Sequence, residues 1–138
     1  MDVKIKIRGS QGDEPNNVEV VSIGEMYERD GFVCLTYDEV VDEEDTGVVQ
    51  VVKNMIKINE EQVEVIKKGP TQSHMVFVPE ETTFTYYSTP FGEMEVSIFT
   101  DEIRRVSKDD GFSLNMQYQL EMNQTLVANS SVNIDVEY

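Results

Sequence analysis

Residues 111–122 read GFSLNMQYQLEM and contain the longest regular alternation of apolar and polar side chains in the chain. The apolar positions are Leu114, Met116, Tyr118, Leu120 and Met122, and a polar residue stands between each pair of them. Side chains at every second position share a face only in an extended strand, because a helix repeats every 3.6 residues. The segment therefore predicts a β-strand with one buried face and one solvated face.

The same alternation recurs in both directions from this segment. It is clearest at 3–8, 93–98 and 132–138, and turn sequences such as Asp30-Gly31 and Asp110-Gly111 separate the strands. We count about ten strands at a spacing of roughly 8 to 12 residues, which is typical of a β-sandwich or a β-barrel.

Three segments depart from this regular pattern. The apolar phase slips between Val20 and Val21, which predicts a β-bulge in the second strand. Residues 41–47 include four consecutive acidic residues and predict an exposed loop. Residues 102–108 predict either a short helical turn or an edge strand.

The composition supports an all-β fold. Val, Ile, Thr, Phe and Tyr account for 50 of the 138 residues, whereas Leu and Ala account for 5. β-Branched and aromatic side chains favour strands, and the best helix formers are almost missing. Long amphipathic strands joined by short turns favour a single antiparallel meander barrel over a sandwich, because closure removes edges that no helix covers.

Size and charge limit the classes of function. A chain of 138 residues predicts one domain spanning 1–138, and a net charge of −16 disfavours nucleic acid and anionic membranes as partners. The sequence contains neither an apolar run of membrane-spanning length nor a signal-peptide pattern, so we expect a cytoplasmic protein. One Cys and one His predict no internal disulfide, no metal site and no cofactor.

Side-chain phase points to charged groups inside the barrel. Lys67 falls on the apolar face of the strand that starts at Val63, and Tyr37 and Glu39 fall on the apolar face of the strand that starts at Phe32. A buried Lys and Glu must pair with each other or contact a ligand, because an isolated buried ion is costly. Two interpretations follow: a polar floor for a small ligand with an acidic group, or a salt bridge that sets the register.

Tyr87 is a further candidate ligand contact. Tyr86 and Tyr87 face opposite sides of one strand, so one of them points into the barrel. The alternative for Tyr87 is an ordinary core tyrosine whose hydroxyl has a partner. Cys34 is predicted to be a buried packing residue.

Several short motifs occur together in one order. They are Gly24 with Tyr27, LTYDE at 35–39, KKG at 67–69 followed by Met75 and Phe77, YSTPFG at 87–92, Thr100, and YQL at 118–120. In these motifs the chain resembles the YwiB-like calycin-type β-barrel proteins of Gram-positive bacteria, a family of unknown function. The resemblance implies a closed or nearly closed antiparallel barrel, similar in shape to lipocalins and fatty-acid-binding proteins, and it implies no activity.

The chain departs from the family at Lys67, where the resemblance leads us to expect Arg. Lysine keeps the positive charge but not the two-pronged geometry with which arginine binds a carboxylate.

We therefore expect a binding module that holds a small apolar or acidic molecule in the barrel. The alternative is a structural or interaction barrel with a filled core and no ligand. An enzyme ranks last, because no nucleophile, base and orienting group occur at meaningful spacing. The oligomeric state expected is a monomer or a weak homodimer, formed through an exposed edge near Val20 and Val21.

Overall fold

The computed structural model describes residues 1–11, 18–43, 47–69, 72–89, 92–122 and 125–138. These residues form ten β-strands. The strands are β1 Asp2–Gln11, β2 Val18–Arg29, β3 Phe32–Glu43, β4 Val48–Ile58, β5 Val63–Lys68, β6 Ser73–Phe77, β7 Thr82–Thr89, β8 Gly92–Lys108, β9 Gly111–Met122 and β10 Thr125–Glu137. Among the described residues, no helix is long and apolar enough to cross a membrane.

All ten strands belong to one antiparallel sheet. Its order is β6-β5-β4-β3-β2-β1-β10-β9-β8-β7, so all chain neighbours pair except β6 and β7, and the first strand pairs with the last in mid-sheet. The two edge strands, β6 and β7, meet along a seam. There Thr83 Oγ1 donates a hydrogen bond to the Val76 carbonyl, and Thr85 Oγ1 donates one to the His74 carbonyl, both at 2.5 Å. The sheet is therefore a nearly closed barrel, which confirms the predicted antiparallel meander.

The inward faces of the strands build one apolar core. The predicted phase of β9 is correct, because Leu114 and Met116 are buried while Gln117 is exposed. The largest fully buried side chains are Phe112, Ile5, Leu35, Ile56, Ile58, Ile98, Leu114, Met116 and Ile134. The Asp30-Gly31 hairpin also forms as predicted, since both residues have positive φ, 53° and 82°.

The predicted bulge between Val20 and Val21 is wrong. The register between β1 and β2 runs without a shift from Asp2–Glu25 to Gly9–Val18. The apolar phase misled the prediction because Ser22 and Gly24 face inward, and Val21 is 54% exposed on the outer face. Bulges occur instead in β8 and β10, where the register shifts between Thr100 and Glu102 and between Leu126 and Ala128.

Residues 102–108 form an edge strand rather than a helical turn. They continue β8 and pair with β9, whereas β7 pairs only with Gly92–Phe99. The first part of the acidic segment, predicted to be loop, is strand, since β3 continues through Glu43. Residues 44–46 of this segment, and residues 90–91 of the YSTPFG motif, lie outside the described residues.

The sheet divides between β2 and β3. These strands pair only at Glu25–Arg29 with Phe32–Thr36, and beyond that point Val18–Gly24 and Tyr37–Glu43 separate. We call this separation the β2–β3 gap. A Cβ atom on Gly24 would lie 2.8 Å from Ile5 Cδ1 and closer still to the Thr36 carbonyl. Only glycine fits where the two strands part, because any side chain there would strike backbone.

Candidate functional site: a polar layer inside the barrel

One row of polar side chains crosses four neighbouring strands on the inner face. Tyr37 pairs in register with Asn54, Asn54 with Lys67, and Lys67 with Ser73. Each is in phase with apolar core residues of its own strand, so alternation places each of them inside. Tyr37, Asn54 and Ser73 are buried, and Lys67 is partly buried.

A second row lies on β8, β9 and β10. Thr100 pairs in register with Tyr118, and Tyr118 pairs with Ser130, and all three are buried. The Tyr118 ring meets Phe77 of β6 edge-on, with 4.9 Å between ring centroids. This contact places the second row against β6, the strand that also carries Ser73. We call these residues, together with Glu39, the polar layer: Tyr37, Glu39, Asn54, Lys67, Ser73, Thr100, Tyr118 and Ser130.

The polar layer occupies one part of the barrel. Its residues lie between the middle of the strands and the strand ends at Glu43, Gly69 and Met122. Most of the apolar core lies in the opposite part, toward the hairpin turns at 30–31, 59–62 and 109–110, whereas Val96 and Ile98 of β8 are buried on the side of the polar layer. The interior therefore has an apolar half and a half that contains the polar layer.

Three buried oxygens of the polar layer have no hydrogen-bond partner among the described residues. They are Asn54 Oδ1, Thr100 Oγ1 and Ser130 Oγ, in residues that are 3%, 0% and 6% exposed. The remainder of Asn54 is satisfied, because its Nδ2 donates to the Val52 carbonyl at 3.3 Å. An unpaired buried polar group costs about 1–3 kcal/mol, so three in one layer call for partners such as ligand atoms or ordered water.

The structure brings Glu39 and Lys67 together, as side-chain phase predicts. Lys67 Nζ lies 3.9 Å from Glu39 Oε1, and the two side chains keep 42% and 27% of their surface exposed. The pair is less buried than an interior position implies, because Glu39 lies on β3 where the β2–β3 gap begins. Solvent access lowers the desolvation cost of the pair and also its contribution to stability.

The two tyrosines of the layer are held neutral. Burial raises the pKa of Tyr37 far above its ordinary value of 10.0, and the negative charge of Glu39 raises it further. Burial likewise raises the pKa of Tyr118, and the neighbouring Ser130 hydroxyl opposes that rise. Both hydroxyls therefore remain protonated at neutral pH and can donate to an acceptor.

Tyr87, the remaining predicted ligand contact, stands apart from this geometry. Its backbone lies in β7 opposite Met94, and its side chain lies outside what the structure describes. Its proposed ligand contact stays a prediction. Cys34 is buried, as predicted for a packing residue.

His74 has a partner that its sequence context did not suggest. Its Nε2 lies 2.8 Å from Glu64 Oε1 on the outer face, and Glu64 Oε2 also accepts from Gln62 and lies 3.8 Å from Lys57 Nζ. In the described residues no group of three or more His, Cys, Asp or Glu side chains is arranged to hold a metal ion.

Five members of the layer were missed as site residues by sequence reasoning: Asn54, Ser73, Thr100, Tyr118 and Ser130. A signal for them exists, since each is a polar residue in phase with buried apolar neighbours on its own strand. Asn54 precedes Ile56 and Ile58 at the strand period, and Thr100 follows Ile98. That signal marks a buried polar group, but it does not show that the group lacks a partner.

Fold and interior together define an antiparallel β-barrel with a polar layer in one half. The family model for a domain of unknown function, DUF1934, matches residues 3–134, and the chain belongs to this family. The uncharacterised β-barrel protein YwiB of Bacillus subtilis strain 168 is 26% identical over 113 residues, which cover 80% of this chain and 75% of YwiB.

The fold agrees with a solved relative. The crystal structure of the ywiB protein from Bacillus subtilis matches with a TM-score of 0.80 and 23% identity, covering 99% of this chain and 90% of that one. These similarities confirm the resemblance inferred from the sequence motifs. They establish a β-barrel protein of unknown function.

Proposed function

We propose that this protein is a small-molecule binding module whose ligand lies against the polar layer. The observation that carries the proposal is the set of three buried oxygens without partners, Asn54 Oδ1, Thr100 Oγ1 and Ser130 Oγ. A folded chain gains nothing from such groups unless something pairs with them, because each costs stability while it stays unpaired.

The chemistry of the layer indicates the class of ligand. An amide oxygen accepts hydrogen bonds, and a hydroxyl both donates and accepts, so the ligand needs hydroxyl or amine donors. Phe77 and Ile98 are buried beside these groups and favour a ligand with an apolar body. Lys67 supplies a cation that an acidic group on the ligand would share with Glu39.

The β2–β3 gap supports this assignment by giving a route to the layer. Glu39 sits on the β3 side of the gap, and its partner Lys67 is 42% exposed although both residues are in phase with the core. A ligand that moves from the gap toward Lys67 passes Asn54, since Asn54 on β4 lies in register between Tyr37 on β3 and Lys67 on β5.

The test is native mass spectrometry of the full chain, expressed in bacterial cells, purified gently and compared with its denatured mass. The test variant, Thr100→Val with Ser130→Ala, removes two of the unpartnered hydroxyls. The control, Thr82→Val with Ser107→Ala, removes two hydroxyls from exposed positions. A second run adds an organic extract of the same cells to protein that was unfolded, washed and refolded.

We expect a reproducible added mass on the wild type and on the control. The affinity should fall about tenfold or more in the test variant, and the occupancy with it, because two hydrogen bonds are lost. A bare mass for the wild type in both runs would overturn the proposal and favour the filled interaction barrel. An added mass that the test variant retains in full would also overturn it, since the ligand would then lie elsewhere.

A further inference from the structure

The outer face of the sheet carries a groove whose lining, apart from Asn54, lies outside the polar layer. The groove has a volume of about 580 Å³ and crosses β3, β4, β5 and β6. It is lined by Thr36, Asp38, Lys53, Asn54, Met55, Ile66, Lys68 and His74. Most of these residues point away from the interior, because they alternate with the inward residues Tyr37, Asn54 and Lys67.

Two lysines stand side by side in this groove. Lys53 and Lys68 are direct register neighbours on β4 and β5, and both are exposed. Like charges directly opposite each other on a sheet are destabilising. Neither lysine forms an ion pair with a described residue, although the chain carries 27 acidic residues. The pair is therefore a local positive site on a protein of net charge −16.

The nearby described carboxylates form no ion pair with either lysine. Asp38 is the register neighbour of Lys53 on β3, but the two form no salt bridge. Glu64 is engaged by Lys57 and His74 on the adjacent row. An anion in the groove would therefore approach from the Lys68 side, away from Asp38.

The floor of the groove is apolar. Met55 and Ile66 are register neighbours, and both are half-buried between the lysine row and the Glu64 row. Thr36 and His74 continue the same row on β3 and β6. An apolar floor beside two cations suits a ligand that has an apolar body and a compact anionic head.

We propose that this groove binds a small organic phosphate monoester, with its phosphate at Lys53 and Lys68 and its apolar body on Met55 and Ile66. A phosphate monoester carries close to two negative charges at neutral pH, which matches two lysines acting as point charges. The lysines and the apolar floor lie on the outer face, so binding of a phosphate monoester there does not depend on a ligand in the polar layer.

The test is a two-dimensional ¹H–¹⁵N NMR titration of the full chain with phenyl phosphate. Inorganic phosphate tests the charge alone, and phenol tests the apolar body alone. The test variant is Lys53→Gln with Lys68→Gln. The control, Lys4→Gln with Lys108→Gln, removes the same charge from exposed positions on β1 and β8. A third protein, Thr100→Val with Ser130→Ala, separates the groove from the polar layer.

We expect saturable shifts at the amides of residues 53, 55, 66, 68 and 74. For phenyl phosphate, the dissociation constant should be about tenfold or more higher in the test variant than in the wild type, and unchanged in the control and in the polar-layer variant. For the wild type, inorganic phosphate and phenol should each bind about tenfold or more weakly than phenyl phosphate. No saturable shifts at these amides up to about 10 mM phenyl phosphate, or equal binding by the test and control variants, would overturn the proposal.

Discussion

The two halves of the barrel interior differ in what their buried side chains contribute to stability. In one half Ile58, Phe112 and Val136 are almost fully buried and carry no polar side-chain atoms. In the other, Asn54, Thr100 and Ser130 are buried to a similar degree, yet each has an unpaired oxygen. Equal burial is thus favourable for the apolar side chains and costly for the unpaired oxygens, because removing apolar surface from water is favourable, whereas an unpaired polar atom loses its hydrogen bonds to water.

The largest difference between the halves should appear on truncation of an apolar side chain. We expect Leu114→Ala to lower the free energy of unfolding by about 2–5 kcal/mol, because it leaves a cavity in a close-packed region. Urea unfolding followed by circular dichroism measures the change. Ser130→Ala in the polar half is the comparison and should cost far less. Equal losses for the two variants would mean that the halves are packed alike.

Alkaline pH should act through the polar half. Below pH 10 Tyr37 is protonated in both folded and unfolded chains, so its contribution to stability is fully present. Above about pH 10 the hydroxyl ionises in the unfolded chain only, and stability falls by up to about 1.4 kcal/mol per pH unit for this residue.

Urea unfolding at several pH values between about 9 and 11 follows this loss. Tyr37→Phe should make the decline shallower, whereas Tyr138→Phe, at a residue 56% exposed, should leave it unchanged. A decline that is identical in Tyr37→Phe and wild type would show that Tyr37 does not stay protonated in the folded barrel.

Removing an unpaired hydroxyl should stabilise the protein. We expect Thr100→Val to raise the free energy of unfolding by about 1 kcal/mol in ligand-free protein, because the unpaired Oγ1 disappears while the shape is kept. Thr83→Val is the matched control and should lose about 1 kcal/mol, because its hydroxyl bonds Val76 across the β6–β7 seam. Thermal unfolding of both variants decides the sign. A loss of stability in Thr100→Val would indicate that a buried water pairs with Thr100.

The smallest effect should come from the ion pair of the polar half. The coupling between Glu39 and Lys67, measured by a double-mutant cycle with Glu39→Gln and Lys67→Met, should be below about 1 kcal/mol because solvent reaches both side chains. Unfolding by urea at low and high salt measures it. A coupling of several kcal/mol would assign the pair to register control instead of ligand contact.

Much of the fold follows from local pattern. Alternation at 3–8 and at 111–122 identified strands and their buried faces, since apolar residues at period two bury only one side of a strand. The pattern failed at Val20 and Val21 because four apolar residues between 18 and 23 do not agree on a phase. The unbroken β1–β2 register resolves this conflict by facing Val21 and Ile23 outward, where they are 54% and 70% exposed.

The candidate site was predictable in part. Phase placed Tyr37, Glu39 and Lys67 on inward faces, and the structure brings Glu39 and Lys67 within 3.9 Å. The absence of partners for Thr100 and Ser130 was not predictable, because it depends on which side chains lie opposite after the barrel closes. The groove at Lys53 and Lys68 also needs the β4–β5 register, which joins residues 15 positions apart.

The sequence by itself determined most of the strands and turns and, outside β2, most of the buried faces, because these depend on side chains close together along the chain. Only the tertiary structure decided where β2 and β3 separate, which buried oxygens stay unpaired and which lysines meet on the outer surface. Those features depend on the register between distant strands and on closure through Thr83 and Thr85. The energy of each group therefore depends on neighbours that are far away in the sequence.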